Sequence, residues 1–345
     1  MNNNQNRQPS SRQSGRAQMP QGSYTSNFTI ICVIFIALLL LANFKIFSMI
    51  ITGNPDTVTV PDEISEQKKI EEAKSESEIA LENDIKNNFA TIPVSHDDTK
   101  RGNLILVGNN NAFDFDASTT AVMNPPLVSI FKEKSDRYVV SYNTETMTAE
   151  AIHAFNDLAE DFYEATGISD LIILDSYRSY EDQERVYANK GGDIATVPGH
   201  SEHHTGLAFD ISLYRGGIIH DFDGTGDYDW IFRNCHKYGY VVRYPENKVD
   251  VTGISYEPWH FRYVGKEHAY YMYSNNLCLE EYISVLKQYP INSGRLNFMT
   301  DSGEEYMIYS VSVSENGDEI PVPNNYEYTL SGDNDGNIVV SCRVL

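Results

Sequence analysis

Ser201-Glu202-His203-His204-Thr205-Gly206-Leu207-Ala208-Phe209-Asp210 is the stretch on which this chain turns. It brings two imidazoles, a glycine and a carboxylate together. From Leu207 to Leu213, apolar and polar side chains alternate as in a strand. Gly206 permits a tight turn before that strand, so His203 and Asp210 can return to one point. Zinc in a hydrolase takes three protein ligands and keeps one position for water. Farther along, Glu257-Pro258-Trp259-His260 offers a third ligand in His260. Glu257, three residues earlier, is placed to act as base on the water. Upstream, Ser176-Tyr177-Arg178-Ser179 supplies in Arg178 a guanidinium for a substrate carboxylate or an oxyanion. Each residue also has a plainer reading. A histidine in a polar loop is usually solvated, Asp210 can be a turn residue, and Glu257 before a proline can face water. Arg178 can pair with Asp175 or Glu181. Residue types alone leave the metal site one reading among others.

The surrounding pattern mixes helices and strands. Ile152, Phe155, Leu158, Ala159 and Phe162 recur at helical spacing over Thr148 to Thr166, and Gly167 closes the helix. Tyr180 to Asn189 and Trp230 to Tyr238 read as helices. Leu104 to Val107, Leu171 to Leu174, Tyr240 to Tyr244 and Trp259 to Val264 read as strands. This mixed order fits an α+β domain. Tyr306 to Val313 and Ile338 to Val344 alternate as strands of a small C-terminal β appendage, residues 291–345, with turn signals at Asn316-Gly317 and from Gly332 to Gly336. Asp221 to Asp227 hints at a calcium loop, but Phe232 stands where an EF-hand needs its last acid, so a solvated turn is the better reading.

At 345 residues the chain has room for one catalytic domain plus additional segments. Its net charge is −23, and setting aside Arg7, Arg12 and Arg16 leaves about −26 on the rest. Such a surface repels nucleic acid and anionic lipid. Cys235, Cys278 and Cys342 are widely spaced, which argues against a cysteine zinc site; buried thiols are the favoured reading, with a disulfide between two of the three as the alternative. Residues 1–27 are polar and lack a core. The apolar run 28–51 is long enough to cross a bilayer, which takes about 20 residues. Arginines precede it and acids follow, and it is long for a signal peptide with no clear A-x-A site after it. It therefore reads as an uncleaved single-pass anchor with the following domain outside the membrane, a cleaved signal peptide being the rival reading. The charged stretch 53–100 reads as a stalk or linker, with plain disorder as an equal alternative, and 103–275 as the catalytic domain.

SEHHTGLAFD matches the SxHxxGxAxD pattern of the VanY-type D-alanyl-D-alanine carboxypeptidases, a zinc peptidase family that also includes VanX-type dipeptidases. YGYVVRYPENKVDVTGISYEPWHFRYVG, residues 238–265, resembles the family's second metal segment ending in ExxH. SYRSYEDQ, residues 176–183, resembles its arginine-bearing segment. The resemblance implies that His203, Asp210 and His260 bind Zn2+, that Glu257 is the catalytic base, and that Arg178 steadies the substrate carbonyl. It places Ser201 and Gln183 near the substrate's C-terminal end. His200 and His204 fall outside the ligand set, and His204 is expected to point elsewhere. The implied fold is a compact mixed α+β domain with a central antiparallel sheet and a zinc cleft. The implied activity is a D,D-carboxypeptidase acting on peptidoglycan stem peptides or lipid-linked precursors. L,D-carboxypeptidases, D,D-endopeptidases and D,D-dipeptidases share the residue set. A zinc-containing cell-wall binding module is the non-enzymatic alternative, and it has no need of both Glu257 and Arg178.

Overall fold

The computed structural model describes residues 76–117, 125–192 and 195–344. The polar tail, the apolar run 28–51 and the first part of the charged stretch lie outside the described residues. Among the described residues, no helix is long and apolar enough to cross a membrane.

Fourteen strands are described. β1 (Phe89–Val94) comes first, followed by β2 (Leu127–Ser129), β3 (Tyr138–Val140), β4 (Thr146–Thr148) and β5 (Leu171–Asp175). The middle of the chain gives β6 (Ala208–Arg215), β7 (Ile218–His220), β8 (Tyr240–Tyr244) and β9 (Glu257–Tyr263). The C-terminal part gives β10 (Leu296–Met299), β11 (Glu305–Ser312), β12 (Asp318–Pro323), β13 (Glu327–Gly332) and β14 (Asn337–Arg343). Among the helices are α1 (Ala149–Thr166), α2 (Tyr180–Lys190), α3 (Lys266–Asn275) and α4 (Leu279–Leu286).

The central sheet runs β3-β5-β6-β9-β8, with β7 paired to β6. Its pairs are antiparallel except β3 with β5, a parallel edge that the sequence does not announce. α1 forms where the periodicity places it and ends at Gly167, whose φ of 73° suits a left-handed cap. Its apolar stripe, with Ile152, Phe155, Leu158 and Phe162, packs on Ile173, Phe209, Ile211 and Phe261 of the sheet. Phe155 meets Phe209 edge-on with ring centroids 4.7 Å apart. Burying each such side chain contributes about 1.5–3 kcal/mol. Because side chains alternate along a strand, the same packing turns Asp210 and His260 to the opposite face. The helix at Trp230 to Tyr238 divides into an α turn, Asp229–Asn234, and a 3-10 turn, Cys235–Tyr238.

Leu104 to Val107 is not a strand of any sheet. The segment is buried but irregular, and side chains as well as backbone satisfy it. Arg262 Nη2 donates to the carbonyls of Asn103 and Ile105, and the Leu106 amide donates to the Asp333 carbonyl. A buried backbone needs partners but does not need a ladder.

The C-terminal strands form a sheet in the order β10-β11-β14-β13. One face, with Ile308 and Val339, shares a core with Met272, Leu279, Tyr282 and Ile283 of α3 and α4. The other, with Tyr309, Ile338 and Val340, packs on Ile320 and Val322 of β12 and on Val94 of β1. β1 pairs antiparallel with β12, from Phe89 opposite Pro323 to Val94 opposite Asp318. This strand, and the helical residues 76–88 before it, lie within the stretch read as a stalk. Cys235, Cys278 and Cys342 are buried free thiols.

Candidate metal centre

The 3-10 turn Glu202–Thr205 precedes β6 and closes on Gly206 at φ 68°. A Cβ on Gly206 would stand 2.3 Å from Leu127 Cδ2, so the turn needs glycine for space as well as for its backbone angle. The turn returns His203 to the start of β6. Asp210 lies opposite His260 across β6 and β9, and opposite Asp175 across β6 and β5. The register of β5 shifts between Ile173 and Asp175, which brings Asp175 against Asp210.

His203, Asp210 and His260 each offer one ligand atom, and these atoms lie within 4.8 Å of one another. His260 Nδ1 is 2.9 Å from Asp210 Oδ1, and His203 Nε2 is 3.6 Å from the same oxygen. A zinc ion with Zn–N and Zn–O bonds of about 2.0–2.2 Å in a tetrahedral site spaces its ligands roughly 3.4 Å apart. The two observed separations bracket that value, and the His₂Asp donor set suits zinc. His203 Nδ1 lies 2.7 Å from the Ser176 carbonyl, which fixes a proton on Nδ1 and leaves Nε2 for the metal. Burial alone would raise the Asp210 carboxyl pKa, but the two imidazoles outweigh it and hold it well below the usual range.

Glu257 opens β9, with Oε2 3.8 Å from His260 Nδ1. Burial raises its pKa above the usual range, against the lowering pull of His260. Arg178 is nearly buried and held from two sides. Nη2 donates to Asp175 Oδ2 at 2.5 Å, and Nη1 donates to Gln183 Oε1. Of the two partners named for Arg178 from the sequence, Asp175 is therefore the one it meets. Gln183 is fully buried, with Nε2 donating to the Thr196 carbonyl at 2.7 Å. Ser201 is buried just before the 3-10 turn.

The neighbouring histidines face away. His204 places Nδ1 2.6 Å from the Arg178 carbonyl, and its Nε2 accepts from the Gly199 amide at 3.1 Å. Burial lowers its pKa to about 4. His200 Nδ1 lies 2.7 Å from the Gly108 carbonyl. Two residues near the site escaped the sequence reading. Asp175 was seen only as a rival partner for Arg178. Glu202, inside the motif, is fully buried beneath His260, between Arg243 and Arg262. Its one sequence signal is its place beside His203.

The family model described as VanY, D-alanyl-D-alanine carboxypeptidase, matches residues 144–266. A D-alanyl-D-alanine carboxypeptidase of Enterococcus faecium is 32% identical over 248 residues, covering 72% of this chain and 77% of that protein. The putative carboxypeptidase YodJ of Bacillus subtilis (strain 168) is 33% identical over 240 residues, covering 65% of this chain and 84% of that protein. Among solved structures, the vancomycin-resistance D,D-dipeptidase VanXYg in complex with a D-Ala-D-Ala phosphinate analogue is similar. It superposes with a TM-score of 0.64 at 30% identity, over 74% of this chain and 99% of that one.

Proposed function

Because the chain belongs to the VanY family of D-alanyl-D-alanine carboxypeptidases, we propose that it is a zinc D,D-carboxypeptidase that removes the terminal D-alanine of peptidoglycan stem peptides. The observation that carries this reading is the convergence of His203, Asp210 and His260 beside Glu257, with Arg178 clamped at the same end of the sheet.

His203 Nε2, Asp210 Oδ1 and His260 Nδ1 are the atoms that would hold zinc. Bound there, zinc lowers the pKa of water to about 7 and polarises a carbonyl. Glu257 takes a proton from the attacking water and passes it to the leaving amine. Its raised pKa suits it to hold that proton between the two steps. Arg178 steadies the carbonyl oxygen as negative charge develops on it. Gln183 is fully buried behind Arg178, with both ends of its amide engaged. That supports a role in aiming the guanidinium, with Ser201 nearer the substrate's C-terminal end.

The apolar run 28–51, with basic residues before it and acidic ones after, supports a single-pass anchor with the catalytic domain on the outer side. An enzyme held there meets stem peptides and lipid-linked precursors. The test is to incubate the purified protein with zinc and a stem pentapeptide ending in D-Ala-D-Ala, beside a Glu257→Ala control, and to weigh the products. Loss of one alanine by the wild type alone supports the reading. Cleavage only of a tetrapeptide, a cross-linked peptide or the free dipeptide would replace it with the corresponding sister activity. No cleavage of any would favour the binding module.

A further inference from the structure

The two histidines of the triad present opposite nitrogens. His203 turns Nε2 to Asp210 and rests Nδ1 on a backbone carbonyl. His260 turns Nδ1 to Asp210, and with a metal held between those two atoms its ring proton would belong on Nε2. His260 Nε2 is a buried atom without a hydrogen-bond partner, and so is Glu202 Oε2. The two face each other at 3.6 Å. Glu202's other oxygen is occupied, accepting from Arg243 Nε at 2.7 Å and from Arg262 Nη1 at 2.9 Å. Arg243 is in turn paired through both terminal nitrogens with Glu280 of α4. A carboxylate enclosed in this way, with one oxygen anchored by two guanidiniums, leaves the second oxygen aimed at the ring.

We propose that Glu202 is a positioning residue that fixes His260 in the Nε2–H tautomer, presenting Nδ1 to the metal, and so sets the zinc affinity of the site. The proposal rests on the zinc peptidase reading for the identity of the metal. Its physical basis is general. A metal-bound imidazole gives its remaining N–H to an acceptor, and a carboxylate in that place orients the ring and raises its basicity. Removing such a partner typically costs about 10–100-fold in metal affinity.

The test is zinc competition against a chromophoric chelator, using the full-length protein and the variants Glu202→Gln, Arg262→Gln and the charge-balanced pair E202Q/R262Q. The pair guards against misfolding, since Glu202→Gln alone leaves the buried Arg262 guanidinium without its counter-charge, while Arg243 keeps Glu280. Both variants lacking Glu202 should bind zinc about 10–100-fold more weakly, while Arg262→Gln, which keeps the Glu202–His260 contact, should stay near wild type. In the zinc-loaded wild type, histidine ring ¹⁵N spectra should show a proton on His260 Nε2. Unchanged zinc affinity without Glu202, an equal loss in Arg262→Gln, or an unprotonated Nε2 would each overturn the proposal. Peptide cleavage by the wild type reports separately. An inactive protein whose zinc affinity depends on Glu202 would sink the carboxypeptidase reading alone. An active one whose zinc affinity does not depend on Glu202 would sink this inference alone.

Discussion

Two rows of three residues cross two sheets of this molecule in the same manner. Asp175, Asp210 and His260 stand side by side across β5, β6 and β9. Leu330, Val340 and Tyr309 do the same across β13, β14 and β11. The second row is what a sheet needs for stability, with Val340 and Tyr309 wholly buried. The first sets two carboxylates directly opposite each other, which destabilises a strand pair. Arg178 takes up Asp175, and the two imidazoles take up Asp210. The difference teaches how the chain divides its work. The central sheet gives up stability along one row to gather ligands, while the C-terminal sheet packs on the helices behind it and contributes core.

The sharpest way to break this comparison is at Glu257. Changing it to Gln should lower kcat on the pentapeptide by about 10²–10⁴-fold. The thermal midpoint should hold or rise. Burial lifts the folded-state pKa of Glu257 above its unfolded value, so its ionised form costs stability at neutral pH and Gln removes that cost. A variant that loses stability together with activity would contradict the division. The converse is Tyr309→Ala, which empties a site shared with Phe89 and the Pro321 carbonyl. Chemical denaturation should show a loss of about 3–5 kcal/mol, with kcat/KM per folded molecule unchanged. Lowered kcat/KM in the folded fraction would mean the second sheet shapes the site directly.

Arg178→Lys sharpens the point within the first region. A single ammonium cannot span Asp175 and Gln183 as the guanidinium does. Turnover should fall about 10²-fold, with a smaller stability change than Tyr309→Ala gives in the same melt. The smallest effect is a pH slope. Burial lowers His204 to about 4, whereas an unfolded histidine titrates near about 6.5. Between those values the unfolded chain binds the extra proton. Stability should therefore fall as pH drops from about 6.5 towards 4 and be indifferent to this group above 6.5. His204→Asn should reduce the change in urea midpoint between about pH 7 and pH 5, leaving the part due to His236, which burial also lowers to about 4, and Tyr309→Ala should leave that slope intact.

Much of the candidate site was legible because its chemistry is local. His203, Gly206 and Asp210 sit in one turn and strand, and Glu257 and His260 in another. α1 was legible from its stripe and its capping glycine. What escaped depends on partners far along the chain. Glu202 reads as an exposed acid in a polar turn until Arg243 and Arg262 are folded against it. Leu104 to Val107 has the composition of a strand, yet Arg262 and Asp333 take backbone bonds that a ladder would otherwise use. Gln183 shows a different limit: Arg178 is close to it in sequence, but only the fold reveals that its side chain is buried against the guanidinium.

The pairing of β1 with β12 has a consequence in time. Synthesis makes β1 early, and its partner follows roughly 230 residues later, so at about 5–20 residues per second β1 waits some 10–50 s for a mate. Phe89, Ile92 and Val94 spend that interval without the core that later covers them. The central sheet, whose strands all lie between β1 and β12, can assemble while they wait. The ribbon can close only once β12 is made, late in synthesis and together with the pairing of β13 and β14, so a strand made among the first is completed among the last.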